Sequence, residues 1–542
     1  MQKFITWLLA LGFIITPGLA SAENGTDGNA STPVSAQEIQ EMKALLKAQS
    51  EALQQQRAAL EQAEQRMKEL QQRLGLAEAS PTIKPAVAAS VAAAMVEPKA
   101  AEKKEEPAPL YFRIGGAKFT PGGFLDFVTF FRSTNVGSGV ATTFNSIPYS
   151  NTAAGQMSEL RMGAQSSRIA LKVDSTVGQN KVLGYVETDF VGNSAPSMYV
   201  TSNSMTLRMR MFLADVQRGK LEFTGGQAWT LMTPSRRSLG VLPSDLLIPY
   251  VGDANYQVGF SWARQAQFRV TYHPSDNWTL AASIENPQQY VAAGAVTCPS
   301  VYSAALASQL DAASNSAAPN LHPDFVVKFA HDQKVGARNW HVEGGGIVRS
   351  FKVAIKQGSV YNANTATGGA LTAGTTFELF KNFNLVGNVV WGNGAGRYLA
   401  GLAPDLIVKS DGAPSLVHSG SVLTGFEWIA SKNTTIAAYY GGIYAGRNAF
   451  VDVTSATYNS ANPATWTYGG FGGYASPNSA NRSIQEGTLV LTQTFWKNPN
   501  YGALQFISQG SYLTRSPWYV APSAPKNAHL FLSTAGIRYV LP

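Results

Sequence analysis

The sequence has little charge, one cysteine and, past its first residues, no long apolar run. Asp, Glu, Lys and Arg make up 14% of its 542 residues, against roughly a quarter in an ordinary soluble chain. That deficit argues against a soluble enzyme. No apolar stretch after the N-terminus approaches the ~20 residues of a spanning helix, and mean hydropathy is −0.07. A bundle of membrane helices is therefore excluded. The lone Cys298 excludes an intrachain disulfide. The six histidines are scattered, and none has a partner at metalloprotease spacing. Neither a G-x-S-x-G elbow nor a phosphate-binding loop of the Walker type occurs. The glycine-rich WGNGAGRY (391–398) follows an apolar run but leads into a polar loop, so it reads as a strand end and turn. No catalytic residue, metal or cofactor is expected, and the chain reads as a non-enzyme.

What is present is glycine (50 residues), aromatics (11%) and a period of two. SRIALKVDSTV sets Ile169, Leu171, Val173 and Val177 against Arg168, Ala170, Lys172 and Asp174. FLDFVTFF sets Leu125, Phe127 and Phe131 against Asp126 and Arg132. LRMRMFLAD sets Leu207, Met209, Met211 and Leu213 against Arg208 and Arg210, while QFRVTYHP sets Phe268, Val270 and Tyr272 against Arg269. Short turns are expected at 273–277, 381–384, 430–433 and 497–500, and long polar loops near 135–157, 291–323, 357–375, 401–420 and 448–481. Alternation, short turns and long loops together predict an all-β transmembrane barrel. At roughly 27 residues per strand and loop, it has about sixteen antiparallel strands. A soluble sandwich alternates too, but would carry more charge on its outer faces.

The N-terminal region is of another kind. Residues 1–22 have a basic start, an apolar core and an A-S-A site, which read as a secretory signal peptide. Residues 23–35 are polar and turn-rich. Residues 36–75 carry heptads with Ile39, Leu46, Leu53, Leu60, Met67 and Leu74 at a and Met42 and Leu70 among the d positions, an α-helical coiled coil. Two d positions are Gln49 and Gln56, and small or apolar g residues widen the seam, favouring more than two strands. Residues 76–109, rich in Ala, Pro, Lys and Glu, read as a linker. Residues 110–542 form the barrel. The coiled coil would lie in the periplasm, make the chain an oligomer and reach toward the cell wall.

Charge is unevenly placed. Of 42 Lys and Arg and 34 Asp and Glu, residues 1–107 hold 11 and 13. The remainder of the chain thus has ten more cations than anions. A cation on the lipid face would cost about 2–4 kcal/mol at mid-membrane. Alternation therefore assigns Arg132, Arg168, Lys172, Arg208, Arg210 and Arg269 to the lumen, where they attract anions. The competing expectation is that they pair with Asp126, Asp174, Glu187 and Asp189 and brace the wall. Arg236-Arg237, in a loop, either folds into the pore or is solvated, and the solvated reading is preferred. The expected partners are small anionic solutes and outer-membrane lipid, with no nucleic acid.

The ordered segments FRIGGAKFTPGGFLDF (112–127), SELRMGAQSSRIALKV (158–173), GYVETDF (184–190), GGQAWTLMTPS (225–235), WGNGAGRY (391–398), YGGIYAGR (440–447) and TFWKNPNYGALQFISQGSYLTRSPW (494–518) resemble the DcaP-like trimeric porins of the bacterial outer membrane. The resemblance implies a homotrimer of sixteen-stranded barrels and uptake of small organic anions, dicarboxylates included, past an arginine-rich constriction. Arg161, Arg168, Arg208 and Arg210 lie in matching segments. Two other readings are a sugar-selective porin, which needs aromatic faces lining the lumen, and an envelope tether with an incidental pore. Deleting residues 36–75 separates the last: a tether variant loses envelope integrity, measured by detergent sensitivity, with unitary conductance unchanged.

Overall fold

A computed structural model describes residues 110–192, 205–312 and 318–542. The signal-peptide, coiled-coil and linker readings fall on residues 1–109, outside the described residues. In chain order the strands are β1 (Phe112–Ile114), β2 (Ala117–Arg132), β3 (Glu159–Gly163), β4 (Arg168–Val177), β5 (Asn180–Asp189), β6 (Arg208–Arg218), β7 (Leu221–Trp229) and β8 (Arg264–Ser275). There follow β9 (Trp278–Glu285), β10 (Asp324–Val335), β11 (Arg338–Gln357), β12 (Val360–Phe380), β13 (Phe383–Asn393), β14 (Leu406–Val408) and β15 (Pro414–Leu416). The last are β16 (His418–Ser431), β17 (Thr434–Ala445), β18 (Asn448–Val451), β19 (Tyr468–Phe471), β20 (Asn481–Asn498), β21 (Gly502–Pro517) and β22 (Ala528–Val540).

Each long strand pairs antiparallel with its neighbour in sequence, and β22 returns to pair with β2, from Phe124↔Val540 to Arg132↔Leu532. The sheet closes, leaving no long edge to solvate. β3 and β4 both pair with the same side of β2 and form one interrupted stave. Counted so, the wall has the sixteen antiparallel staves that the spacing predicts. β1 is a short hairpin extension of β2, and β14–β15 and β18–β19 are hairpins within loops.

Turn chemistry separates the two ends. At one end the turns are tight. Gly178, Gly219 and Gly336 sit at their first position with φ of 61°, 58° and 63°, the left-handed conformation that a two-residue hairpin needs and glycine adopts without strain. At the other end lie long connections: 133–158, 230–263, 286–323, 394–417 and 446–480. Residues 357–375, expected as a polar loop, are instead strand. β11 and β12 run on in register to Gln357↔Val360, where Gly358 makes another tight turn. Their Gly, Ala, Thr and Asn content resembles a loop, but continuous pairing satisfies their backbone groups.

Side chains alternate across the wall. In β10, Phe325, Val327 and Phe329 are exposed on the outer face, while Val326, Lys328 and Ala330 are buried within. Exposed aromatics collect toward both ends of the staves: Tyr272, Trp278, Trp428 and Trp496 by the tight turns, and Trp391, Tyr444, Tyr512 and Phe531 by the long loops. Two such girdles suit the two interfaces of a bilayer. The phase breaks in β6, where a bulge against Glu187 and Thr188 inserts one residue. Before it Arg208 and Arg210 point inward; after it Met211 and Leu213 are inward as well, both buried. Met211 and Leu213 were expected on the face opposite Arg208 and Arg210, and Phe212, which alternation would put with the arginines, faces outward instead. A bulge shifts every later side chain to the opposite face.

If the outer face meets hydrocarbon, Val327→Arg should lower stability by about 2–4 kcal/mol. Reversible unfolding from lipid vesicles by urea measures this.

Candidate functional site

The lumen is built around the connection 230–263. Its composition is apolar, with Leu231, Met232, Leu239, Leu246 and Leu247 all buried. A segment of that kind gains little by standing in water, so it folds into the barrel. Its backbone donors then need acceptors, and carboxylates on the inner wall supply them. Leu231 N–H donates to Glu285 at 2.9 Å, Ser235 N–H to Glu343 at 3.1 Å, Ser238 N–H to Asp332 at 2.8 Å and Val258 N–H to Glu486 at 2.8 Å. Gly252 N–H donates to Gln509 at 2.7 Å. These acceptors lie on β9, β11, β10, β20 and β21, so the connection crosses the lumen and touches most of its circumference. Two glycines of the far wall and loop allow the closest approach. A Cβ at Gly441 would fall on the Val258 carbonyl, and one at Gly259 on the Val422 carbonyl.

Arg210 anchors the near side. It is 1% exposed and donates to Glu187 at 2.6 Å, to Asp189 at 2.8 Å and to the Tyr256 hydroxyl at 2.7 Å. Two wall carboxylates and one loop phenol thus meet on one guanidinium. Tyr256 adopts φ of 66°, an unusual conformation for a bulky residue that persists only where surroundings over-determine it. Its ring is fixed among Trp229, Phe260 and Trp262, with centroids 5.6–6.0 Å away. Burial pushes the Tyr256 phenol up, but the charges of Arg210, Arg168 and Arg264 together outweigh it and hold the phenol below its ordinary value.

Arg236 pins the opposite side. It forms a two-pronged ion pair with Glu427 of β16, one prong at 2.8 Å, and its guanidinium lies 4.8 Å from the Tyr250 ring. Burial opposes its charge, yet the Glu427 carboxylate raises its pKa above the ordinary value. The expectation of two solvated arginines therefore holds only for Arg237, whose side chain is 69% exposed.

Between these anchors lies a cavity of about 600 Å³, lined by Phe124, Arg168, Arg236, Tyr250, Asp253 and Arg538 among others. Arg168 and Arg538 approach it from the staves on either side of Phe124, at 5.1 and 4.1 Å from its ring. The Nε of each is buried with no hydrogen-bond partner. Arg538 is held through its other arm by Asp126 at 2.7 Å, and Arg168 stands 3.7 Å from Glu187. Burial pushes the Asp253 carboxyl up from its usual range. A second cavity of about 790 Å³ shares Arg236, Tyr250 and Ile429 with the first.

The remaining arginines and lysine named from the sequence are spread along the wall. Arg208 is bidentate to Asp189 at 2.8 and 2.9 Å and one-third exposed. Arg132 is fully buried, donating to Glu159, Thr142 and the carbonyls of Ser138 and Gly139; it fastens the connection 133–158 and reaches no open volume. Arg269 is likewise buried, donating to Gln267 and the Trp229 carbonyl. Arg161 pairs with Glu159 at 2.8 Å and Lys172 with Asp174 at 3.0 Å, both more open to solvent. Arg236 and Arg538 were not among the candidates. Arg538 was findable, since it follows outward Ile537 in the closing strand. The inward turn of Arg236 had only the apolar content of its loop as a signal.

Gly441→Leu should unseat residues 258–259 from the wall, raise single-channel conductance in a planar bilayer, and cost about 1–3 kcal/mol of stability through overpacking.

No family model matches the sequence, and no curated protein matches it. Solved structures do. The outer membrane channel DcaP of Acinetobacter baumannii is similar at a TM-score of 0.56 and 16% identity, over 79% of this chain and 99% of that one. An anion-selective porin from Comamonas acidovorans matches at a TM-score of 0.43 and 9% identity, over 78% of this chain and 100% of that one. OprB of Pseudomonas putida matches at 0.42 and 13%, over 78% and 94%; these two weaker likenesses carry no argument. Sixteen staves closed by β22 on β2, with a long connection folded inward, give this chain the barrel fold of the outer membrane channel DcaP.

Proposed function

We propose that the protein is a passive, trimeric outer-membrane channel for small anionic solutes, dicarboxylates among them. The observation that carries this is the lining of the 600 Å³ cavity, where Arg168, Arg236 and Arg538 face Asp253 and Asp189. Glu285, Glu343, Asp332 and Glu486 hold loop N–H groups. Glu285, Glu343 and Glu486 are buried, and none of the four acids lines this cavity. Arg168 and Arg538 line it with side chains 19% and 20% exposed, and a guanidinium can hold a carboxylate through two parallel hydrogen bonds. Such a lumen raises the local concentration of anions and lowers that of cations.

Within this reading the named residues divide by task. Arg168 and Arg208, with Arg236 and Arg538, meet the solute. Arg132, Arg210 and Arg269 hold the wall and its loops in shape, and Arg161 and Lys172 add to the field. Transport is diffusion down a gradient. In this reading residues 36–75 serve to hold three copies together. The sugar-porin reading has less support. The inward aromatics Trp229, Tyr256, Phe260 and Trp262 pack on one another, three of them nearly or fully buried, and leave no row of open ring faces.

A single channel in a planar bilayer under a KCl gradient should show a reversal potential of chloride preference. Arg168→Ala with Arg538→Ala should shift that potential several-fold toward potassium in permeability ratio. Cation preference in the wild type overturns the proposal.

A further inference from the structure

Two arginines lie outside the lumen and answer to none of its carboxylates. Arg447 follows the outer end of β17, and Arg482 sits in a bulge near the start of β20, between Asn481 and Ser483. Both are exposed, and neither has an ion pair or hydrogen bond among the described residues. Their guanidinium carbons lie 5.0 and 5.9 Å from the ring of one residue, Trp518. Trp518 is itself fixed, its indole N–H donating to the Ala445 carbonyl at 2.8 Å and its backbone N–H to the Ala480 carbonyl at 3.0 Å. The indole thus gathers two like charges around one ring, which repel unless an anion joins them.

The location says which anion. Tyr444 pairs directly with Ser483 and meets Trp518 edge-on at 6.2 Å. Trp391 stacks on Tyr444 at 6.1 Å, and both rings are outward and exposed, at 51% and 38%. Outward aromatics of this kind mark where hydrocarbon gives way to headgroups. The two guanidiniums stand just beyond that line, on the long-loop side. That side faces the cell exterior in barrels of this class.

We propose that Arg447, Trp518 and Arg482 form a binding site for a phosphate group on the headgroup of an outer-leaflet glycolipid. The guanidiniums grip the phosphate in forked fashion, and Trp391 and Tyr444 contact the top of the acyl region. Charge complementarity and the girdle below both favour this occupant over a second copy of the chain, whose matching patch would be equally basic. The proposal rests on the outer-membrane reading.

The test uses the full protein in detergent, titrated with diphosphorylated lipid A and with the same lipid stripped of phosphate, bound lipid being counted by native mass spectrometry. The wild type should prefer the phosphorylated form. In Arg447→Gln/Arg482→Gln, affinity for it should fall about thirtyfold, roughly fivefold per cation, with affinity for the stripped lipid unchanged. Equal binding of the two lipids by the wild type overturns the proposal even if the double variant fails to fold. So does equal binding by variant and wild type, or full displacement by millimolar inorganic phosphate. The reversal potential of the same variant separates the two readings. Lost lipid with chloride preference kept supports this site and leaves the lumen untouched.

Discussion

One guanidinium organises the lumen. Arg210 lies between the acids of β5 and the phenol of Tyr256, and the alternative to that arrangement is a buried, unpaired charge. Removing any partner would leave the others desolvated without compensation, so the cluster is all-or-none. Through Tyr256 it fixes the position of a thirty-odd-residue connection that would otherwise have many ways to collapse. The wall supplies the other sockets, and the 600 Å³ cavity takes its shape from where the connection is held. Its shape thus depends on the Arg210 cluster.

This division clarifies the charge surplus. Bracing and attraction are not competing descriptions of the same arginines. Arg132 and Arg269 are consumed by carbonyls and side-chain oxygens, Arg210 by acids, and each is closed to solvent. Arg168 and Arg538 stay partly exposed beside an open volume. Inner-wall acids are numerous, yet several serve as acceptors for loop backbone. The arrangement sets several anionic groups against the loop backbone, while Arg168 and Arg538 line the open volume.

The barrel was legible because the period-two pattern is a direct image of its two environments. Phe325, Val327 and Phe329 against Lys328 could hardly be read otherwise. The pattern failed where geometry departs from period two. The β6 bulge moved Phe212 out and Met211 in, and nothing in LRMRMFLAD marks which residue is extra. Loops were read as polar, so an apolar one escaped notice, and Arg236 went with it. The error at 357–375 has the converse cause: residues 360–368 run past the end of β13 and pair with β11 alone, and the Gly, Ala and Thr that follow give little contrast between faces. Which acid meets which arginine depends on pairing register, as with Asp126 and Arg538, and no local signal carries that.

The closure of β22 on β2 has a temporal side. Asp126 and Arg538 are 412 positions apart, and the Leu541 N–H reaches the Gly123 carbonyl at 3.0 Å. The seam can form only after the last residues have been made and exported. Until then both margins of the sheet expose a full row of unmet hydrogen-bonding groups, which neither lipid nor a neighbouring margin can safely satisfy. An unfinished chain is therefore sticky along its whole length, and a finished one loses that property in a single event. The pairing of β22 with β2 is the step that ends that exposure.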